Sequence, residues 1–225
     1  MSHAFVTLNS KIDDAEFSAF HVQPKGPRKG GVIVLQEIFG VDSYIRHDAE
    51  RWGSMGFEVL APSLFDRFEP GFVAEHTPDG VQAGFKYLQA HRIEDAIADI
   101  ETCVDYLRPR GPVFVVGYCY GGSLAYLAAC KIEDLAGASA YYGSMVPKHA
   151  HDKPRCPTIC HFGRQDQHIA LEGVAAFSAH RPDVPVHLYD AGHGFNNDGA
   201  PAHNHAAAKL ARRRTLELFD ANGAG

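Results

Sequence analysis

The sequence predicts an α/β architecture: a mostly parallel central sheet with helices on both faces. Three observations carry that prediction. Apolar strand-like runs alternate with helix-like segments along most of the chain, the pattern of a sheet whose crossovers are helical. The run Val113-Phe114-Val115-Val116 leads into Gly117-Tyr118-Cys119-Tyr120-Gly121, a strand that turns sharply into a helix. Finally, 225 residues, 45% of them hydrophobic, suit one domain over 1–225 with a sizeable core and no internal repeat.

Taken in order, residues 5–8 and 16–21 predict an opening antiparallel pair, followed by a polar turn at 24–30. Residues 31–35 and 57–61 are apolar strands. Between them 44–55 predicts a helix, capped near Asp42-Ser43 and stopped by Gly56. The stretch 62–77 reads as a loop whose Phe65, Phe68 and Phe72 either roof a pocket or pack as a connection. Residues 93–107 form an amphipathic helix, and the elbow strand and its helix of small apolar residues follow. Further strands are expected at 136–142, 157–162 and 186–189. The last helix carries Leu210, Leu216 and Leu218, with Arg212, Arg213 and Arg214 on a solvated face.

The chemistry is concentrated in the elbow. Glycines flank Cys119 because a Cβ at either position would collide with so tight a turn. The turn presents the thiol at a helix N-terminus, where the dipole and free amides favour a thiolate. A buried structural cysteine would explain Cys119 but not the paired glycines. The partners of a nucleophile in this context follow in the order acid, then histidine. Asp166 lies in the loop after the strand at 157–162, and His193 lies between Gly192 and Gly194 after the strand at 186–189. Fourteen histidines make one loop histidine unremarkable, and Asp166 alone could be a turn former. The ordered set, each member after a strand, points to Cys119 as nucleophile, His193 as general base and Asp166 as its orienter.

Three segments then make the chain resemble the dienelactone hydrolase family, a branch of the α/β-hydrolases. They are Val34-Leu35-Gln36-Glu37-Ile38-Phe39-Gly40-Val41, Val116 to Gly122 around Cys119, and Gly192-His193-Gly194-Phe195, with Gly163-x-x-Asp166 a weaker fourth. The likeness spans about 17–219. It implies an ester or lactone hydrolase working through a thioester acyl-enzyme, with no cofactor and no metal. It also implies that Glu37 contacts the resting thiol and helps generate the thiolate on substrate binding, and that the backbone N–H groups of Ile38 and Tyr120 form the oxyanion hole. A carboxylate accepts a thiol's proton but repels a thiolate, so Glu37 would be a switchable base. Phe39, Tyr141, Tyr142 and Phe195 are expected to line the substrate pocket. The family holds its substrate carboxylate with two arginines. The stretch after His193 and the stretch 70–86 contain none, so dienelactone itself is not the expected substrate. Two other classes fit a reactive elbow cysteine: a ligand-binding or redox-sensing thiol protein, and an acyltransferase.

Composition narrows the rest. A formal charge of -6 gives no nucleic-acid footprint. The five cysteines are odd in number and unpatterned, which predicts a reducing, cytoplasmic setting. Cys156 and Cys160 read as core and His203-Asn204-His205 as a surface loop, neither as a metal site. No apolar leader and no long apolar run is present, so neither secretion by that route nor a membrane span is expected. The expected partner is a small ester or lactone, and oligomeric state is not legible.

Overall fold

A computed structural model describes residues 2–225. Eight strands form one sheet in the order β1-β2-β4-β3-β5-β6-β7-β8. Strand β1 (His3–Asn9) pairs antiparallel with β2 (Glu16–Val22), which runs antiparallel to β4 (Phe57–Pro62). From β4 onward all pairings are parallel, through β3 (Gly30–Leu35), β5 (Val113–Tyr118), β6 (Gly137–Tyr141), β7 (Thr158–Gly163) and β8 (Val186–Tyr189). Strands β3, β4, β5, β6 and β7 are buried along their whole length, as continuous apolar runs between two helix layers should be.

The register sorts the two faces. Phe57, Gly30, Val32 and Phe114 share one side through their pairings. On that side Phe114 stacks on Phe219 of the last helix, α6 (His205–Ala221), at 4.3 Å. Phe57 meets Trp52 of α1 (Ser43–Ser54) at 5.6 Å, so α1 and α6 cover one face. The alternate residue Gly31 points the other way, where a Cβ would lie 2.9 Å from Leu107 of α3 (Ile93–Leu107). Helix α1 starts where the sequence placed its cap: Asp42 accepts from the Ile45 N–H at 2.9 Å.

Two helices were not anticipated. Helix α2 (Pro78–Ala90) begins with Thr77 capping the Gly80 N–H and Pro78 in the first turn. Gly80 and Gly84 mask its helical signal. Helix α5 (Leu171–His180) has no side-chain cap, and its apolar residues lack a clean helical stripe. The stretch 62–77 proves to be a packed connection. Phe65 and Phe72 are buried against Tyr87 of α2, and Phe68 stacks on the same ring.

The arginine triplet of α6 is corrected as well. Arg213 faces water beside Glu217, but Arg214 donates to the Tyr189 hydroxyl and Arg212 reaches inward to Asp48 over the Trp52 ring. Asp48 is fully enclosed and also accepts from Tyr118 at 2.6 Å and Trp52 at 3.1 Å. Removing one partner of a buried ion pair leaves the other charge uncompensated. Arg212→Ala is therefore expected to lose about 3–5 kcal/mol of stability, whereas Arg213→Ala stays within about 0.5 kcal/mol. Urea denaturation of both variants checks this, and equal midpoints would contradict the pairing.

Candidate active site

The order of parallel strands reverses at β3, and a crevice opens at the carboxyl ends of β3 and β5 where their crossovers part. The β3 loop delivers Glu37, Ile38 and Phe39, while β5 delivers Cys119 ahead of α4 (Tyr120–Lys131). Cys119 adopts φ 54° and ψ -113°, a conformation that side chains rarely take. Close approaches enforce it. A Cβ on Gly117 would stand 1.9 Å from the Gly121 carbonyl, and one on Gly121 would stand 2.4 Å from that of Leu35. The Cys119 N–H bonds the Tyr141 carbonyl at 3.0 Å, and the Gly121 N–H bonds Gln36 at 3.0 Å. The elbow is thus stapled to β6 on one side and to the Glu37 loop on the other.

Cys119, His193 and Asp166, remote in sequence, meet at this rim. His193 Nδ1 lies 2.7 Å from Asp166 Oδ2. The Asp166 side chain is sealed from solvent, and its second oxygen accepts the His168 N–H at 2.8 Å. The partly exposed Cys119 thiol lines the same cleft as His193. Burial works against a charged imidazole, but the hydrogen-bonded Asp166 and the nearby Cys119 prevail, lifting His193 to about 10.

Glu37 lies in the same crevice and is 5% exposed. Burial raises its carboxyl to about 7, Asp42 adds repulsion, and a 3.1 Å hydrogen bond from Asn197 Nδ2 opposes both. Ile38 and Tyr120 line the cleft, and the backbone N–H of neither finds an acceptor among the described residues. Two free N–H groups near the Cys119 sulfur are the kind of arrangement that can hold an anion.

Around these groups is a cleft of about 430 Å³. Phe39 lines it, as expected. Tyr141, Tyr142 and Phe195 do not: all three are fully buried. Tyr141 points into the layer under the site and bonds Thr215 of α6 at 2.9 Å. Tyr142 and Phe195 pack on each other at 5.3 Å, and Tyr142 backs the His193 ring at 5.0 Å. They support the histidine from behind and leave substrate to others.

The wall comes instead from Val81, Phe85 and Leu88 of α2 and from Met145, with Ser123, Ser144 and His168 as its polar points. The sequence signal for the α2 wall was the apolar spacing i, i+4, i+7; for His168 it was only proximity to Asp166. No lysine or arginine lines the cleft. Arg67 is committed to Asp13 and Asp99. Among the described residues no group of three or more His, Cys, Asp or Glu side chains could hold a metal, and no helix is long and apolar enough to cross a membrane.

Comparison with known proteins follows this geometry. The model of the dienelactone hydrolase family matches residues 17–223. Carboxymethylenebutenolidase of Pseudomonas sp. strain P51 is 32% identical over 212 residues, covering 88% of each chain. Carboxymethylenebutenolidase 1 of Cupriavidus pinatubonensis is 30% identical over 214 residues, covering 90% of this chain and 91% of the relative. Among solved structures, a Klebsiella pneumoniae chain assigned to the dienelactone hydrolases superposes with TM-score 0.85 at 23% identity, covering 98% of this chain and 99% of its own. An esterase of Pyrococcus furiosus gives 0.73 at 14% identity, covering 99% and 92%. At those identities the structures speak for the fold.

One glycine ties the wall to the loop that carries Glu37 and Ile38. A Cβ on Gly84 would sit 2.3 Å from the Ile38 carbonyl, so α2 approaches that loop as closely as a helix can. Gly84→Ala must push Ile38 or α2 aside. It is expected to lower kcat/KM for an activated ester on the order of 100-fold, because displacements of about 1 Å have that effect. Unchanged kinetics in a folded variant would show that the contact leaves the site unaffected.

Proposed function

The chain belongs to the dienelactone hydrolase family and is a carboxylic ester or lactone hydrolase, and from that premise we propose that Cys119 is its nucleophile and that hydrolysis runs through a thioester acyl-enzyme. The reading rests on one observation: His193, held by Asp166 at 2.7 Å, lines one cleft with Cys119 and with Ile38 and Tyr120, whose backbone N–H groups find no acceptor among the described residues. Sulfur attacks the carbonyl carbon, and the oxyanion rests on the N–H groups of Ile38 and Tyr120. When the tetrahedral intermediate collapses, the C–O bond breaks and the alkoxide takes the proton held on His193. Thioester formation then removes the thiolate charge that helped hold that proton. The histidine becomes basic enough to take a proton from water yet not too basic to release it. Water attacks the thioester, and sulfur leaves as thiolate to re-form the pair with imidazolium.

The cleft also bears on substrate. Its lining of Phe39, Val81, Phe85, Leu88 and Met145 is apolar and supplies no lysine or arginine to a carboxylate. Carboxymethylenebutenolidase acts, by its name, on a lactone carrying a carboxylate, and this chain offers that group no guanidinium. A neutral ester or lactone with an apolar substituent suits it better. The same reading takes 1–225 as one α/β-hydrolase domain working on a small molecule, with a reducing, cytoplasmic setting that keeps the thiolate from oxidation.

Exposure to a p-nitrophenyl ester followed by intact and peptide mass analysis is expected to show an acyl adduct on Cys119. Cys119→Ala should abolish both adduct and turnover, and Asp166→Asn should lower kcat on the order of 10⁴-fold. Turnover persisting in purified Cys119→Ala would refute the nucleophile. Neutral esters are expected to exceed carboxylate-bearing esters of equal length by at least about tenfold in kcat/KM, since an unpaired charge must be desolvated to enter. Equal values would remove the substrate argument and leave the nucleophile standing.

A further inference from the structure

The order of the strands divides the cleft into two flanks. Cys119 stands at the end of β5, with β3 and β4 on one side and β6, β7 and β8 on the other. The β3–β4 side supplies Phe39 from the loop after β3, and Val81, Phe85 and Leu88 from α2, the helix after β4. Glu37 is the one polar side chain on that flank, and the Asn197 amide holds it at 3.1 Å. The other side supplies Ser144 after β6, His168 after β7 and His193 after β8, with Met145 its one apolar member. One flank is thus apolar and the other polar, and the elbow lies between them.

The polar flank has hydrogen-bonding capacity to spare. His168 meets Asp166 through its backbone N–H alone, at 2.8 Å, so its ring is left uncommitted. That ring is exposed and stands edge-on to His193, with 5.0 Å between centroids. Ser144 is exposed as well. Among the described residues neither the His168 ring nor the Ser144 hydroxyl has a hydrogen-bond partner. Ser123, by contrast, is taken: its hydroxyl accepts the Met145 N–H at 3.1 Å. An imidazole and a hydroxyl can each give and accept a hydrogen bond, so both suit a hydroxyl of the substrate. On the apolar flank the same hydroxyl would lose its water and gain nothing in return.

Ester cleavage decides which half of the substrate faces which flank. The alkoxide must leave toward the group that protonates it. Under the function proposed above that group is His193, which belongs to the polar flank and adjoins His168. We infer that the cleft takes an ester of an apolar acid with a hydroxyl-bearing alcohol. The acyl chain lies against Phe39 and α2, and the alcohol's hydroxyls meet His168 and Ser144. The inference rests on His193 as proton donor to the leaving group.

The test compares 1-glyceryl butanoate with propyl butanoate, which differ only in two hydroxyls on the alcohol, by titrating the acid released. The glyceryl ester is expected to lead about tenfold in kcat/KM, the worth of one or two net hydrogen bonds. His168→Leu should bring the ratio to about one, Ser144→Ala should lower it in part, and His168→Gln should keep part of it. Both side chains are exposed, and circular dichroism checks that each variant is folded. Phe85→Ala should instead lower the preference for butanoate over acetate esters. A ratio of one in the unaltered protein, or a preference that survives both His168→Leu and Ser144→Ala, would overturn the assignment. So would a His168→Leu effect confined to acyl-chain preference, which would mean that the ester binds the other way round. Loss of the Cys119 adduct with the ratio intact refutes the nucleophile alone. An intact adduct with a ratio of one refutes the placing of the alcohol alone.

Discussion

The backbone of Cys119 sits at φ 54°, and the rest of the site is arranged around keeping it there. Such a conformation persists only where its surroundings leave no relaxed alternative. Here the surroundings are main chain against main chain. Gly117 and Gly121 bring the strand end, the first turn of α4 and the Gln36 loop within distances that no side chain permits, and the Cys119 and Gly121 amides bond across those gaps. The same contacts that strain the cysteine fix Ile38 relative to Tyr120. The Cys119 backbone and the free amides of Ile38 and Tyr120 are thus one rigid piece, and their separation does not depend on any side-chain rotamer. Electrostatic stabilisation of a transition state is effective when its donors need no reorganisation, and backbone locked by close packing meets that condition.

On this frame the ionisable groups are tuned in opposite senses. Asp166 is sealed in and hydrogen-bonded, and it holds a proton on His193; Glu37 is sealed in with one neutral donor, and burial drives its carboxyl toward the protonated form. Environment separates them: Asp166 faces an imidazole and a backbone N–H, whereas Glu37 faces an amide and feels Asp42 behind it. The division gives the site one carboxyl fixed on the imidazole and one whose proton is favoured by burial.

Much of this was legible in the residues. The elbow, the order of acid and histidine, and every strand of the sheet follow from local pattern, because glycine spacing and apolar runs are local causes of local structure. What failed to show follows from causes that are not local. Tyr141 and Tyr142 end a strand at the active rim and read as pocket residues, yet strand alternation cannot say what lies over a strand's end. Tyr141 turns down to Thr215, and Tyr142, at φ 39°, backs His193. Arg212 reads as solvated because charges usually are, and only the fold reveals Asp48 waiting 164 residues away in sequence. Helix α2 was hidden by Gly80 and Gly84. Those glycines weaken helical propensity and at the same time let the helix lie against the Glu75 and Ile38 carbonyls.

That last point joins specificity to catalysis. Val81, Phe85 and Leu88 shape the apolar wall from the same helix whose Gly84 touches Ile38, a residue with a free amide in the same cleft. A group that fills the wall lies against α2, and α2 meets the Ile38 carbonyl at Gly84. Phe85, left 44% exposed at the cleft mouth, is the side chain with most apolar surface still to bury. Its desolvation by a neutral substituent would draw α2 onto the site rather than off it, because apolar burial strengthens as the gap closes. A carboxylate in the same place would keep its water and hold the wall open. Under the function proposed above, the fit of a neutral substituent and the placing of the Ile38 amide would both turn on that one contact between a helix and a loop.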